Sequence, residues 1–139
     1  MIDDSVGLGR RLVIEARRIT KQHEKLGELW TAVLEPLAND DLDGARRPFS
    51  VLAEGLRAHF AIEEEIEIPA LHGADDERTA ALERIIADHA EYRAALDRIA
   101  GRMAADDLEG AGEEAAALAA KITDHEAREE ALFARPPRR

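Results

Sequence analysis

Residues 52–66 read Leu-Ala-Glu-Gly-Leu-Arg-Ala-His-Phe-Ala-Ile-Glu-Glu-Glu-Ile. The leucines and isoleucines of this stretch recur with the period of a helix that has one apolar face. His59 and Glu63 fall on that same face, because residues four apart lie above one another on a helix. The stretch therefore predicts a long amphipathic helix that brings an imidazole and a carboxylate into a protein core.

Three further stretches show the same period, and the alternation typical of strands is absent from the sequence. The predicted helices run from between Ser5 and Gly9 to Ala38, from near Asp43 to Ile68, from near Asp75 to Ala104, and from the turn at 105–107 to the residue before Pro136. Gly110 and Gly112 leave the start of the fourth helix loosely defined. Short connections make neighbouring helices antiparallel, so the predicted fold is an all-α, antiparallel up-down-up-down four-helix bundle. The apolar residues predicted to face its interior are Leu12, Ile19, Leu26, Trp30, Val33, Leu37, Leu52, Leu56, Ile62, Ile66, Leu82, Ile85, Ile86, Leu96, Ile99, Met103, Leu118, Ile122 and Leu132.

The length and composition narrow the class of protein. A chain of 139 residues suits one domain over residues 1–139, of which 135–139 form a frayed tail. Charged residues make up 35% of the chain and aromatic residues 4%, which favours helices over strands. The chain has no cysteine, so disulfides and thiolate-bound metals are excluded.

The charge of the chain restricts its partners. A formal net charge of −11 repels phosphate backbones, so we expect no binding to nucleic acid. The sequence has no apolar run long enough to span a membrane and no signal peptide before the first helix. We therefore expect a soluble cytoplasmic protein, either a monomer or a weak homodimer, that does not bind membranes.

Four of the five histidines lie in the apolar stripes of four different predicted helices: His23, His59, His89 and His125. Each lies about 13 to 19 residues from the centre of an adjacent turn, and at about 1.5 Å of rise per residue the mismatch in depth is at most roughly 6 Å. The four imidazoles are therefore predicted to meet in one layer of the bundle. A single histidine in a core is more often hydrogen-bonded than bound to a metal, but four at one depth are much harder to explain in that way.

Two glutamates share this layer, through the pairs His59-x3-Glu63 and His125-x3-Glu129. A carboxylate buried without a cationic partner costs several kcal/mol, and no lysine or arginine is placed on the same helix faces. Metal ions would satisfy both carboxylates and all four imidazoles together. The predicted metal ligands are therefore His23, His59, Glu63, His89, His125 and Glu129.

Two other kinds of metal site fit the pattern less well. Ferritin-like di-iron proteins carry Glu-x-x-His on two helices, whereas the residues three before the histidines are here Thr20, Leu56, Ile86 and Ile122. Structural zinc sites have four ligands, which usually include cysteine. Six nitrogen and oxygen ligands from four helices suit two six-coordinate ions better, most naturally iron.

With these motifs, the chain resembles the hemerythrin-like (HHE cation-binding) domain family over essentially its whole length. The resemblance rests on His23, on His59-Phe-Ala-Ile-Glu63 with the acidic run to Pro69, on Asp88-His89, and on His125-Glu-Ala-Arg-Glu129. It implies a four-helix bundle that holds two non-haem iron ions, bridged by two carboxylates and an oxo or hydroxo group. By similarity, Glu63 and Glu129 would be the bridges. One iron would then take His23 and His59, and the other would take His89 and His125.

The chain departs from the oxygen carriers of this family at two positions. The carriers have a further histidine four residues after the first one on the third helix, where this chain has Arg93. They also place an aspartate five residues after the last histidine, whereas here Glu129 stands at four and Glu130 at five. The missing imidazole would leave iron positions to water, to another side chain or to a small ligand.

Several nearby residues have two interpretations. Tyr92 is either a metal ligand or hydrogen-bond donor, or it packs between helices, which is the favoured interpretation. His72-x3-Asp76 imitates the metal motif, yet Gly73 indicates a loop and hence a surface histidine. The acidic residues expected on solvated faces are Glu24, Glu64, Glu65, Glu67 and Glu126, and the aromatic residues expected to act only in packing are Trp30 and Phe60.

The favoured function is that of a di-iron protein that binds or senses dioxygen or a related small molecule, such as peroxide or nitric oxide. Redox activity on peroxide or nitric oxide is an alternative, and iron sensing or storage is another. A helical interaction module without metal is the remaining possibility. We assign no catalytic residue, and the expected partner is the small ligand itself.

Overall fold

The computed structural model describes residues 4–67 and 76–134, and every regular element within these ranges is helical. The long helices are α1 (Asp4–Ala38), α2 (Leu42–Ile62), α3 (Asp76–Ala104) and α4 (Leu108–Ala134), and the segment Glu63–Glu67 continues α2 as a π-helical turn. Helix α1 packs against α2 and α4, and α3 packs against α4 and α2. The predicted all-α four-helix bundle is therefore confirmed. None of these described helices is both long enough and apolar enough to cross a membrane.

Some of the sequence-based expectations fall on parts of the chain outside this description. They concern the end of the second helix near Ile68, the loop that contains His72, and the tail at 135–139. The side chains of Leu12, Ile66 and Glu67 also lie outside the description, although their backbone is helical.

The α1–α2 and α3–α4 turns are built around the same Asp-x-x-Gly cap. Asp41 accepts a hydrogen bond from the Gly44 N–H at 2.8 Å, and Asp107 accepts one from the Gly110 N–H at 2.9 Å. Each cap satisfies a backbone donor at the start of a helix, where no earlier turn can accept it. A Cβ at Gly44 would lie 2.2 Å from the carboxylate of Asp41, and one at Gly110 would lie 2.3 Å from that of Asp107. Gly110 therefore helps to define the start of α4 rather than loosening it.

The interior of the bundle contains two apolar clusters with a polar layer between them. The larger cluster fills the half of the bundle next to the α1–α2 and α3–α4 turns. The smaller cluster lies at the other end and consists of Ile19, Leu82, Ile85, Leu132 and Phe133. On α1, His23 lies between Ile19 of the smaller cluster and Leu26 of the larger one. The polar layer is therefore enclosed by apolar side chains on both sides.

The predicted inward-facing residues whose side chains are described are all buried, except Ile62 and Ile86. Ile62 is 37% exposed and Ile86 is 41% exposed, so these two predictions were wrong. Successive residues of a helix point about 100° apart, so the neighbour of an inward-facing residue can lie at the edge of the buried face. Ile85 takes the inward direction beside Ile86, and Glu63 takes it beside Ile62.

Replacing Ile85 with alanine should destabilise the metal-free protein by about 2–5 kcal/mol, because its 6% exposed side chain would leave a cavity in the core. The same replacement at Ile86 should cost about 1 kcal/mol or less, because that side chain is 41% exposed. Urea unfolding of both variants and of the unchanged protein measures the two losses of free energy. Equal losses of free energy would contradict the inward orientation of Ile85 and the outward orientation of Ile86.

Candidate metal centre

The six residues predicted as metal ligands form the polar layer of the bundle. None of their side chains is more than 7% exposed, and both glutamates are fully buried. Helix α1 contributes one histidine, α2 a histidine, its π-helical continuation a glutamate, α3 a histidine, and α4 a histidine and a glutamate. The structure thus brings together His23, His59, Glu63, His89, His125 and Glu129.

These residues divide into two groups of possible ligand atoms that share both glutamates. The first group is His23, His59, Glu63 and Glu129, and the second is Glu63, His89, His125 and Glu129. Within each group, one nitrogen or oxygen atom from every residue lies within 4.8 Å of the others. The arrangement is that of two adjacent sites, each with its own pair of imidazoles and the same pair of carboxylates.

All four imidazoles have a nitrogen atom within 4.0 Å of a Glu129 carboxylate oxygen. Oε1 of Glu129 lies 3.1 Å from Nε2 of His23, and its Oε2 lies 2.9 Å from Nε2 of His125. Nε2 of His59 lies 3.8 Å from Oε1. Burial would raise the pKa of this carboxyl group, but hydrogen bonds with Glu63 and the imidazoles outweigh burial and hold the pKa below its usual range. Glu129 is therefore ionised at neutral pH.

Glu63 faces the same space from the first residue of the π-helical turn. Nε2 of His59 contacts its Oε1, and Nε2 of His89 lies 3.8 Å from its Oε2. Glu63 and Glu129 each contribute a carboxylate oxygen to both groups of ligand atoms, so the two carboxyl groups lie side by side. Two carboxylates this close in an apolar interior repel each other unless a proton or a metal cation lies between them.

The Nδ1 atom of each of the four histidines points away from Glu63 and Glu129 and towards an acceptor on a neighbouring helix. The four pairs are His59 with Gln22 at 2.6 Å, His89 with Glu64 at 3.1 Å, His125 with Asp88 at 3.1 Å, and His23 with Glu130 at 3.1 Å. We call these four acceptors the outer ring, because their contacts run from α1 to α2, α3, α4 and back to α1. The ring was not predicted from the sequence, although each member adjoins a predicted ligand along the chain.

These contacts make the layer a good fit for metal cations. A neutral imidazole that donates its Nδ1–H to the outer ring presents only a lone pair at Nε2, and that lone pair faces carboxylate oxygens. Facing acceptors need a proton or a metal cation between them. For His23, burial is outweighed by the hydrogen bond with Glu129, so the pKa of this imidazole is raised. Burial lowers the pKa of His89 to about 4, so this imidazole is neutral at physiological pH and has no second proton to offer. Imidazole nitrogens and carboxylate oxygens are common ligands of iron and other divalent metals.

Tyr92 packs against the polar layer through the rings of Phe60 and His125. Its side chain is buried, and its ring meets that of His125 edge-on, with 5.2 Å between the ring centroids. Burial raises the pKa of the phenol to about 12, so its hydroxyl keeps its proton. The geometry therefore supports packing as the role of Tyr92, and Phe60 is buried as predicted.

Two of the acidic residues expected on solvated faces are instead partly enclosed. Glu64 contacts His89 and is bound by Arg93 through both carboxylate oxygens. Glu126 is half-buried, and burial raises the pKa of its carboxyl group. These two predictions were wrong because enclosure depends on the neighbouring helix, which the helical period does not reveal. The exposed acidic residues that agree with the prediction are Glu24 and Glu65.

Comparison with known protein families agrees with the geometry of this site. The model of the hemerythrin HHE cation binding domain matches residues 15–135, so the chain belongs to that family. No match was found among the curated proteins or among the solved structures. The family and the buried histidine–glutamate layer together indicate a metal-binding site, for which iron is the typical ion.

Replacing Glu63 with alanine should weaken metal binding at both groups of ligand atoms, because Glu63 belongs to each of them. Replacing His23 should weaken mainly one ion, since His23 belongs to one group only. Glu65→Ala is the matched control, because it removes an exposed carboxylate from the same π-helical turn. Anaerobic Co(II) titration followed by native mass spectrometry counts the ions per chain. Undiminished binding of two ions by Glu63→Ala would contradict a shared carboxylate.

Proposed function

We propose that this chain is a non-haem di-iron protein that binds or senses dioxygen or a related small molecule. The observation that supports the proposal best is the sharing of Glu63 and Glu129 between two pairs of imidazoles. In the proposed centre these two carboxylates would be ligands of both ions, and an oxo or hydroxo group would complete the bridge. The imidazoles that complete it are His23 and His59 at one iron, and His89 and His125 at the other.

The donor set suits iron and leaves space for a small ligand. Each iron would receive two imidazole nitrogens and oxygens of two carboxylates, which is fewer than the six donors that iron commonly accepts. The remaining positions are available to a bridging oxygen, to water or to a small molecule. When bound, a pair of ferrous ions supplies two electrons and an attachment point for such a molecule.

The protein itself orients the ligands and limits the access of water. Phe60 stacks on His89 with 4.4 Å between ring centroids, and Tyr92 lies edge-on to His125. The two apolar clusters close the layer above and below. Such walls admit a small apolar molecule more readily than bulk water, and they slow the hydrolysis of a reactive bound species.

Anaerobic reconstitution with ferrous iron tests this proposal. We expect two irons per chain and, on exposure to oxygen, a charge-transfer absorption that disappears when oxygen is removed. Steady consumption of added peroxide or nitric oxide would instead favour redox turnover. Strong stabilisation by iron without a response to any of these molecules would favour iron sensing or storage. An iron content near zero would rule out the di-iron centre.

A pair of histidine variants separates specific loss of iron from general damage. His59→Ala should lose most of the bound iron, because it removes one of the imidazoles of the polar layer. His72→Ala removes a histidine that the sequence places in a loop, and it should bind iron as the unchanged chain does. Elemental analysis after gel filtration gives the iron-to-protein ratio of each variant. Equal ratios for the two would refute the ligand assignment.

A further inference from the structure

His89 is held on one edge and on one ring face by side chains from a neighbouring helix. On the edge, Nδ1 of His89 lies 3.1 Å from Oε1 of Glu64. On the face, the Phe60 ring stacks on the imidazole with 4.4 Å between centroids and 20° between the ring planes. Glu64 and Phe60 belong to α2 and its π-helical continuation, whereas His89 belongs to α3.

Arg93 contacts both of the side chains that hold His89. Its Nη1 and Nη2 lie 2.9 and 2.8 Å from the two carboxylate oxygens of Glu64, which is a bidentate ion pair. Its Cζ lies 5.6 Å from the centroid of the Phe60 ring, within the range of a cation–π interaction. A single guanidinium group therefore links the edge contact and the face contact of the same imidazole.

We propose that Arg93 is a positioning residue that acts through Glu64 and Phe60 to fix the orientation and tautomer of His89. Its effect on metal affinity rests on the proposed di-iron centre, whereas its effect on the tautomer does not. While His89 donates its Nδ1–H to Glu64, the lone pair of Nε2 stays directed towards the shared carboxylates. In the other tautomer, Nε2 would carry the proton and face Glu63 at 3.8 Å and Glu129 at 4.0 Å. That tautomer could not bind a metal through Nε2.

The chemistry of Arg93 suits this role better than that of a simple positive charge. Glu64 is partly exposed, so its flexible side chain loses conformational entropy when it is fixed at one imidazole. A guanidinium fork binds both carboxylate oxygens at once and so holds the carboxylate in one plane. Arg93 stands where the oxygen carriers would have a further histidine, so the chain has a support for His89 where they have a ligand.

The tautomer test uses metal-free protein labelled with nitrogen-15. Long-range proton–nitrogen correlation spectra distinguish an imidazole protonated at Nδ1 from one protonated at Nε2. We expect the Nδ1–H form of His89 in the unchanged protein, and a shift towards the Nε2–H form in both Glu64→Ala and Arg93→Met. An unshifted His89 in Arg93→Met would overturn the proposal.

Arg57→Met is the matched control for this test. Arg57 pairs with Asp97 at 2.6 Å, so it also links α2 to α3, but on an exposed face. The control should leave the His89 signals unchanged, because neither member of that pair contacts the imidazole in the way that Glu64 does. A shift as large as that of Arg93→Met would mean that loss of any ion pair between α2 and α3 disturbs His89. That result would contradict a specific positioning role for Arg93.

The affinity test uses anaerobic Co(II) titration of the same variants. Loss of a residue that orients a metal-bound histidine typically lowers metal affinity by about 10- to 100-fold. We expect Arg93→Met to lower the affinity mainly for one of two ions by this factor. Glu64 contacts the His89 imidazole and Phe60 stacks on it at 4.4 Å, whereas Phe60 meets the His59 ring only in a tilted contact at 6.2 Å. Equal weakening of both ions would indicate a general loss of structure and would overturn the proposal.

Two conservative variants separate positioning from folding. Arg93→Lys keeps the charge but not the fork, and Glu64→Gln keeps an acceptor oxygen but not the ion pair. Both should give a tautomer shift smaller than that of Arg93→Met or Glu64→Ala, and a shift as large in either would count against the proposal.

If the unchanged protein binds no metal, the proposed function fails while the tautomer comparison still decides the role of Arg93. Two tightly bound ions with undiminished affinity in Arg93→Met would refute the positioning role alone.

Discussion

The burial of two glutamates side by side is the constraint on which the rest of this bundle depends. The side chains of Glu63 and Glu129 face the interior and have no contact with solvent. Uncompensated charges in such a place cost several kcal/mol each, and the cost falls only when cations or strong donors surround them. The four imidazoles provide part of this compensation, and the metal ions that they are proposed to hold would provide the rest. Metal binding and the stability of the fold are therefore expected to be linked.

The outer ring explains how four separate helices can present their imidazoles with the same orientation. Apolar contacts in the two clusters hold the helices together, but such contacts are non-directional and leave some freedom of rotation. A hydrogen bond from Nδ1 to an acceptor on the adjacent helix is directional, and one such contact joins each neighbouring pair of helices. The same contacts that direct Nε2 inward therefore also set the rotation of each helix relative to the next.

Arg93, one of the positions at which the sequence departs from the oxygen-carrier pattern, contacts a member of the outer ring. Arg93 takes the position of a missing imidazole and binds Glu64, which in turn contacts His89. In the proposed centre, residue 93 would thus affect both the number of imidazole ligands and the support of one of them. A centre with fewer imidazoles has more positions for a small molecule, and it depends more on the accurate placement of the imidazoles that remain.

By itself, the sequence determined the four helices, the common depth of the four histidines, the inward direction of the two glutamates and the family. The first three follow from periodicity and from distances along the chain, which are local properties, whereas the family follows from the resemblance of the sequence motifs. Periodicity does not define the edges of the apolar stripes. Ile62 and Ile86 were therefore misplaced, because a shift of one position along a helix turns an inward direction into an outward one. Only the tertiary structure decided that Glu64 and Glu126 are partly enclosed and that Arg93 supports His89. Each of these depends on which side chains of another helix lie opposite, and that is set by the packing of the whole bundle.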